Sequence, residues 1–154
     1  MKELENIRWI GGLAQDADAF AGTVYTDVFK VLGEGAVFVV WYGANASLGA
    51  STMTVVACDD VTPSNSTAVA FMYRYSTTFD TWSAWAQATT AGITVGGSAD
   101  SMWEIYVPAS EFATEGYAYC RGAFVESTNQ EADGVVLAGV VNPSYKVQPF
   151  TLIT

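Results

Sequence analysis

The chain contains no histidine. That absence removes Ser-His-Asp and Cys-His nucleophilic arrangements, the histidine general base, and any metal site built on imidazole. Basic residues are also scarce. Lys2, Arg8, Lys30, Arg74, Arg121 and Lys146 stand scattered against 16 acidic residues, for a net charge of −10. With no patch to neutralise phosphates, neither nucleic acid nor an anionic membrane is an expected partner. A positively charged protein surface fits better. The two cysteines, Cys58 and Cys120, lie outside any CxxC pair, so they imply neither a zinc site nor a disulfide-built scaffold. They read as small buried residues, with a bond between them left open. No apolar run approaches the ~20 residues needed to span a bilayer. The start, "MKELENIRWIGGLAQDADAF", lacks a signal-peptide core, so a soluble protein made in the cytoplasm is expected. Phosphate-binding GxxxxGK[ST] and GxGxxG loops are missing, and "GANASLG" does not match G-x-S-x-G.

What is present is apolar and aromatic. Hydrophobic residues make up 51% and aromatics 14%, which excludes a disordered chain. Charged residues reach 14%, against about 25% in an average soluble domain. That balance suits either faces covered by partners or an ordinary β-protein with small loops. Short runs rich in Val, Ile, Thr and aromatics recur between Gly, Asn, Ser, Asp and Pro signals. Strands are predicted over residues 23–31, 36–42, 51–58, 67–75, 81–88, 92–95, 102–107, 117–125 and 134–141. "PASEF" (108–112) is expected to form a turn of helix. The fold class is therefore all-β, a single antiparallel β-sandwich or jelly-roll-like domain. Residues 21–141 form its core, with extended arms at 1–20, where no strand pattern is clear, and 142–154, where Pro143 and Pro149 forbid a central strand. The runs 36–42 and 51–58, on either side of "GANASLGAS", read as neighbouring strands.

Several side-chain groups invite a chemical reading. Asp59/Asp60, Asp16/Asp18, Glu126/Glu131/Asp133 and Glu104/Glu111 are carboxylate pairs or clusters. A glycosidase needs two carboxyls held about 5–10 Å apart across a cleft, and the sequence shows no such cleft. No enzyme activity, catalytic residue or cofactor is expected. "DADAF" and "ACDDV" supply oxygens for calcium but lack EF-hand spacing, so a solvated turn is the expectation and no metal site is assigned. Trp82 and Trp85 are three apart; in a regular strand they would face opposite ways and form no platform unless a bulge intervened. Trp41 and Trp103 lie in apolar runs and read as core. The sequons at 45–47 and 65–67 fall in predicted loops, without a secretory signal to make them glycan sites.

The order of blocks supplies a further reading. "TVYTDVFKVLGEGAVFVVWYGA" is followed by "STMTVVACDDVTPSNSTAVAF", then "MWEIYVPASEFATEGYAYCRGAFV", then "GVVLAGVVNPSYKVQP". This succession resembles the head decoration, or cement, proteins of tailed bacteriophages. The resemblance implies a β-rich virion protein on the capsid exterior, made in the host cytoplasm. It would bridge neighbouring copies of the major capsid protein, as a dimer or trimer, and stabilise the icosahedral shell. Low charge and abundant Tyr and Trp are compatible with contact-making surfaces. Candidate interface residues are Trp9, Ile10, Pro143, Tyr145, Pro149 and Phe150 in the terminal segments, and Ser47 in the small-residue loop. The alternative is a carbohydrate- or receptor-binding β-sandwich module of a virion fibre or surface protein, which requires exposed aromatics on one face.

Overall fold

A computed structural model of the chain describes residues 6–43, 49–78, 80–98 and 100–142. In chain order these form β1 (Ile7–Asp16), β2 (Thr23–Tyr25), β3 (Phe29–Lys30), β4 (Gly35–Tyr42), β5 (Ala50–Cys58), β6 (Ser66–Val69), β7 (Phe71–Ser76), β8 (Ala86–Ala88), β9 (Ile93–Gly96), β10 (Ser101–Pro108), α1 (Ala109–Glu115), β11 (Tyr119–Thr128) and β12 (Gly134–Val141). The strands make two antiparallel sheets packed face to face, an all-β sandwich. Sheet A runs β1-β12-β4-β10-β7-β8. Sheet B runs β2-β11-β5-β6, with β3 also pairing β11 and β9 also pairing β5.

Period-two alternation builds the core. Ala36, Phe38, Val40 and Tyr42 of β4 point inward beside Trp103, Ile105 and Val107 of β10, with Phe38 opposite Ile105 and Val40 opposite Trp103. Met53, Val55 and Ala57 of β5 and Cys120 and Phe124 of β11 face them from sheet B. Phe20 stacks on Tyr42 with ring centres 4.2 Å apart, and Trp103 meets Tyr42 edge-on at 5.7 Å. Burial raises the Tyr42 phenol well above its ordinary pKa. Ser51 lies near enough to ease that burial slightly, yet neither hydroxyl reaches hydrogen-bonding geometry. α1 extends the turn foreseen at "PASEF". Pro108 precedes it in extended conformation, and Gly116 ends it with φ 76°, donating its N–H to Ala113 O.

The structure corrects several strand assignments. Residues 7–16, within the segment read as an arm, form the edge strand β1 along β12. Their pattern is hidden because the register slips between Trp9 and Gly11 and again between Leu13 and Asp16, and each bulge breaks alternation. The run 67–75 divides at Ala70, where β6 in sheet B gives way to β7 in sheet A. The run 23–31 splits into β2 and β3, and only 86–88 of the run 81–88 is strand. β4 and β5 are not neighbours: they lie in opposite sheets. Cys58 and Cys120 are free and buried. Register pairs Cys58 with Tyr119 and Cys120 with Ala57, which puts the two sulfurs on opposite faces of sheet B. Among the described residues no helix is long and apolar enough to cross a membrane.

Candidate functional site on the outer face of sheet A

Two strands of sheet A are apolar at nearly every position. "GAVFVVWY" of β4 and "GVVLAGVV" of β12 leave no polar residue for their outward side. The outward set is Val37, Val39 and Trp41 on β4, and Val135, Leu137 and Val141 on β12. Trp41, read as core, therefore belongs to this face and is only half-buried. Register arranges the face in rows. Val135, Trp41, Met102 and Ser76 form one; Leu137, Val39, Glu104 and Arg74 the next; Gly139, Val37, Tyr106 and Met72 the third. Trp9 lies over Gly139, where a Cβ would come within 3.2 Å of its ring. Trp9 is 41% exposed and Leu137 47%.

The outer face of sheet B differs in kind. It carries Thr23, Thr52, Thr54 and Thr94, with two cations laid over tyrosine rings. Arg121 sits 3.9 Å from the Tyr25 ring centre and Lys30 5.9 Å from that of Tyr119. Val56 and Val125 lie among them, so this face is mixed. Sheet A presents a larger share of hydrocarbon, broken by Ser76, Gln87 and one ion pair.

Along the β1 edge the apolar face runs into a shallow groove of about 410 Å³ bordered by Trp9, Ile10 and Leu137. Glycines shape it. A Cβ on Gly12 would lie 1.8 Å from Val136 O, so only glycine lets β1 close onto β12 there. The same residue ties the sandwich edges together, its carbonyl accepting the Asp27 N–H from the β2–β3 link at 3.2 Å. The predicted candidates Trp9 and Ile10 thus meet in one place, joined by Leu137, which the sequence reading missed. The signal for Leu137 was available: a strand without alternation is apolar on both faces. Ser47, Pro143, Tyr145, Pro149 and Phe150 lie outside the described residues.

At the far end of the face the two tryptophans converge. Ser83 pairs with Tyr75, its N–H donating to Tyr75 O and its Oγ accepting the Tyr75 N–H. The ladder resumes with Ala86 opposite Tyr73. Two steps on β7 therefore face three on its partner, which is a bulge of one residue. The extra residue restores parity: Trp82 and Trp85 both emerge on the outer face, flanking Arg74. The guanidinium lies 4.8 Å from one indole centre and 5.0 Å from the other. Arg74 Nε and Nη2 both meet Glu104 Oε2. The expectation that these tryptophans diverge is thereby corrected: residues 82–85 are not regular strand.

Several of the carboxylates foreseen as pairs serve as local caps. Asp59 accepts four hydrogen bonds, from the backbone and side chains of Ser64 and Asn65, which form the Asx-type turn expected there. Those side-chain bonds, from Ser64 first and then Asn65, lower its pKa to about 2. Asp18 caps the Ala132 N–H and Glu126 the Gly22 N–H. No group of three metal-ligating side chains occurs among the described residues. Asp16, Asp100 and Asp133 gather at one end of sheet A, brought there by the pairing of Asp16 with Gly134 and by the bonds of Gly43 to Asp100 and Asp133. The apolar face therefore has acidic residues at one end. Comparison of the chain with protein-family models, curated proteins and solved structures finds no match.

Proposed function

We propose that the chain is a structural virion protein that decorates the outside of an icosahedral phage capsid, bridging neighbouring major capsid proteins through the outer face of sheet A. It works by contact and not by turnover, and needs no cofactor. The observation that carries this reading is the contrast between the faces, predominantly apolar on sheet A and mixed, with four threonines and two cations, on sheet B. An apolar sheet face rimmed by polar groups marks a protein contact. Its size is suitable. Five inter-strand steps of about 4.8 Å and eight residues at about 3.3 Å give roughly 600 Å², near the ~800 Å² each partner contributes to a standard interface. Its charge is suitable too, since Asp16, Asp100 and Asp133 at one end of the face, on a chain of net charge −10, select a partner surface with an apolar centre and basic surroundings. Copies assembled on the shell as dimers or trimers would multiply weak contacts into firm attachment.

The test is reconstitution. Purified protein is added to capsids made without it, and binding is followed by co-sedimentation and by the temperature at which the shells release DNA. Saturable binding with a rise in that temperature supports the proposal. Absence of binding, with shells already as heat-resistant as complete ones, sinks it.

A further inference from the structure

We propose that Trp82, Trp85, Arg74 and Glu104 form a binding subsite for a neutral, pyranose-based polysaccharide. The bulge that breaks the β7–β8 ladder buries neither indole completely; it turns both to one side and leaves Trp85 47% exposed. An irregularity that keeps a large apolar ring in solvent is a functional device more than a packing one. The guanidinium between the rings fixes their orientation, so little side-chain freedom remains to be lost on binding.

The polar groups beside the rings are fixed as well. Arg74 and Glu104 meet through a single carboxylate oxygen, Oε2. Glu104 Oε1 and Arg74 Nη1 keep their capacity, with no partner among the described residues, and the two side chains are 29% and 33% exposed. A flat apolar ring next to one fixed acceptor and one fixed donor matches a pyranose. The sugar has a C–H face to lay on an indole and hydroxyls that both donate and accept. A cation would compete with Arg74 for the rings. An anion would meet a neutral ion pair on a strongly acidic chain. The subsite occupies the β7–β8 end of the same face, with Arg74 three strand steps from Leu137.

Native affinity electrophoresis decides the matter, with gels containing dextran, mannan, β-glucan or galactan and a polymer-free control. The wild type should be retarded by at least one polymer. Trp85→Ala should lose that retardation, with an apparent affinity at least ten-fold weaker, and Trp85→Tyr should keep part of it. Glu104→Gln, which preserves shape, should weaken it and serves if Trp85→Ala misfolds. Leu137→Asp should be retarded like the wild type, which separates this site from capsid docking. Mobility unaffected by all four polymers overturns the proposal. So does retardation of Trp85→Ala and Glu104→Gln equal to the wild type, and a Trp85→Ala defect in capsid binding alone would assign the tryptophans to the protein partner.

Discussion

Leu137→Asp should abolish capsid docking while leaving the fold intact. Leu137 points outward from the centre of β12 and is 47% exposed. Complete burial of a leucine stabilises by about 1.5–3 kcal/mol, so the half still in water offers docking roughly 0.7–1.4 kcal/mol. Leu137→Ala should therefore weaken binding about three- to ten-fold per copy. Aspartate acts differently. It would place a carboxylate in a contact that excludes water, at a penalty of several kcal/mol, and binding should fall more than about 100-fold. The free chain should tolerate the change, because strand propensities span only about 1 kcal/mol and the side chain remains hydrated. Melting followed by circular dichroism should then shift by only about 2–4 °C. Val125→Asp is the matched control: Val125 is 50% exposed on the outer face of sheet B. Binding to decoration-free capsids, measured by co-sedimentation over a range of concentrations, compares the three variants. Leu137→Asp binding within two-fold of wild type, or Val125→Asp losing as much, would refute sheet A as the docking face.

Three further substitutions test the frame that holds this face. The Asp59 carboxyl is depressed to about 2 from 3.8, so its stabilisation is fully present above pH ~4 and lost as pH falls through ~2. Asp59→Asn should flatten that acid limb in urea unfolding; identical profiles for the two proteins would contradict the hydrogen-bonded turn. Gly12→Ala sets a Cβ against the Val136 carbonyl and should cost about 1–3 kcal/mol. Amide exchange should quicken across residues 7–13, and unchanged protection there would count against the close approach of β1 to β12. Tyr42→Phe removes a buried hydroxyl that makes no hydrogen bond, so stability should hold or rise by up to ~1 kcal/mol. A marked fall in the melting temperature would mean that the hydroxyl has a partner.

The central strands were legible because nothing interrupts their period. Residues 36–42, 51–58, 102–107 and 134–141 all became strands within a residue or two of their predicted ends. Trp103 fell inside as expected, at 4% exposure. Failures came where the chain changes phase. In β1 two bulges scramble alternation around Gly11 and Gly12. At Ala70 the chain changes sheets in the midst of unbroken strand-forming residues, and propensity carries no mark of which sheet a strand joins. Trp82 and Trp85 were set on opposite faces by a parity rule that holds only for regular strand. One extra residue opposite β7 reverses its conclusion. The proposed docking face was half legible, through Trp9 and Ile10, and the remainder was present in the unbroken apolar runs of β4 and β12.

The asymmetry between the two sheets joins fold to function. A two-layer sandwich needs each sheet to be apolar on one side only. Sheet B comes nearer to it: Met53 and Val55 face in, while Thr52 and Thr54 share the outer side with Val56 and Val125. Sheet A exceeds the requirement, with valine, leucine, tryptophan and methionine on the side the core does not use. Stability of the isolated domain gives no reason for this, since an exposed apolar face contributes nothing until something covers it. It also carries a hazard, because such a face invites self-association. The net charge of −10 counters that hazard between identical copies and has the opposite effect toward a basic surface. Excess hydrocarbon on one face and a large net negative charge are each a burden on a solitary protein. Under the proposed function, the two together would favour a partner surface with basic surroundings.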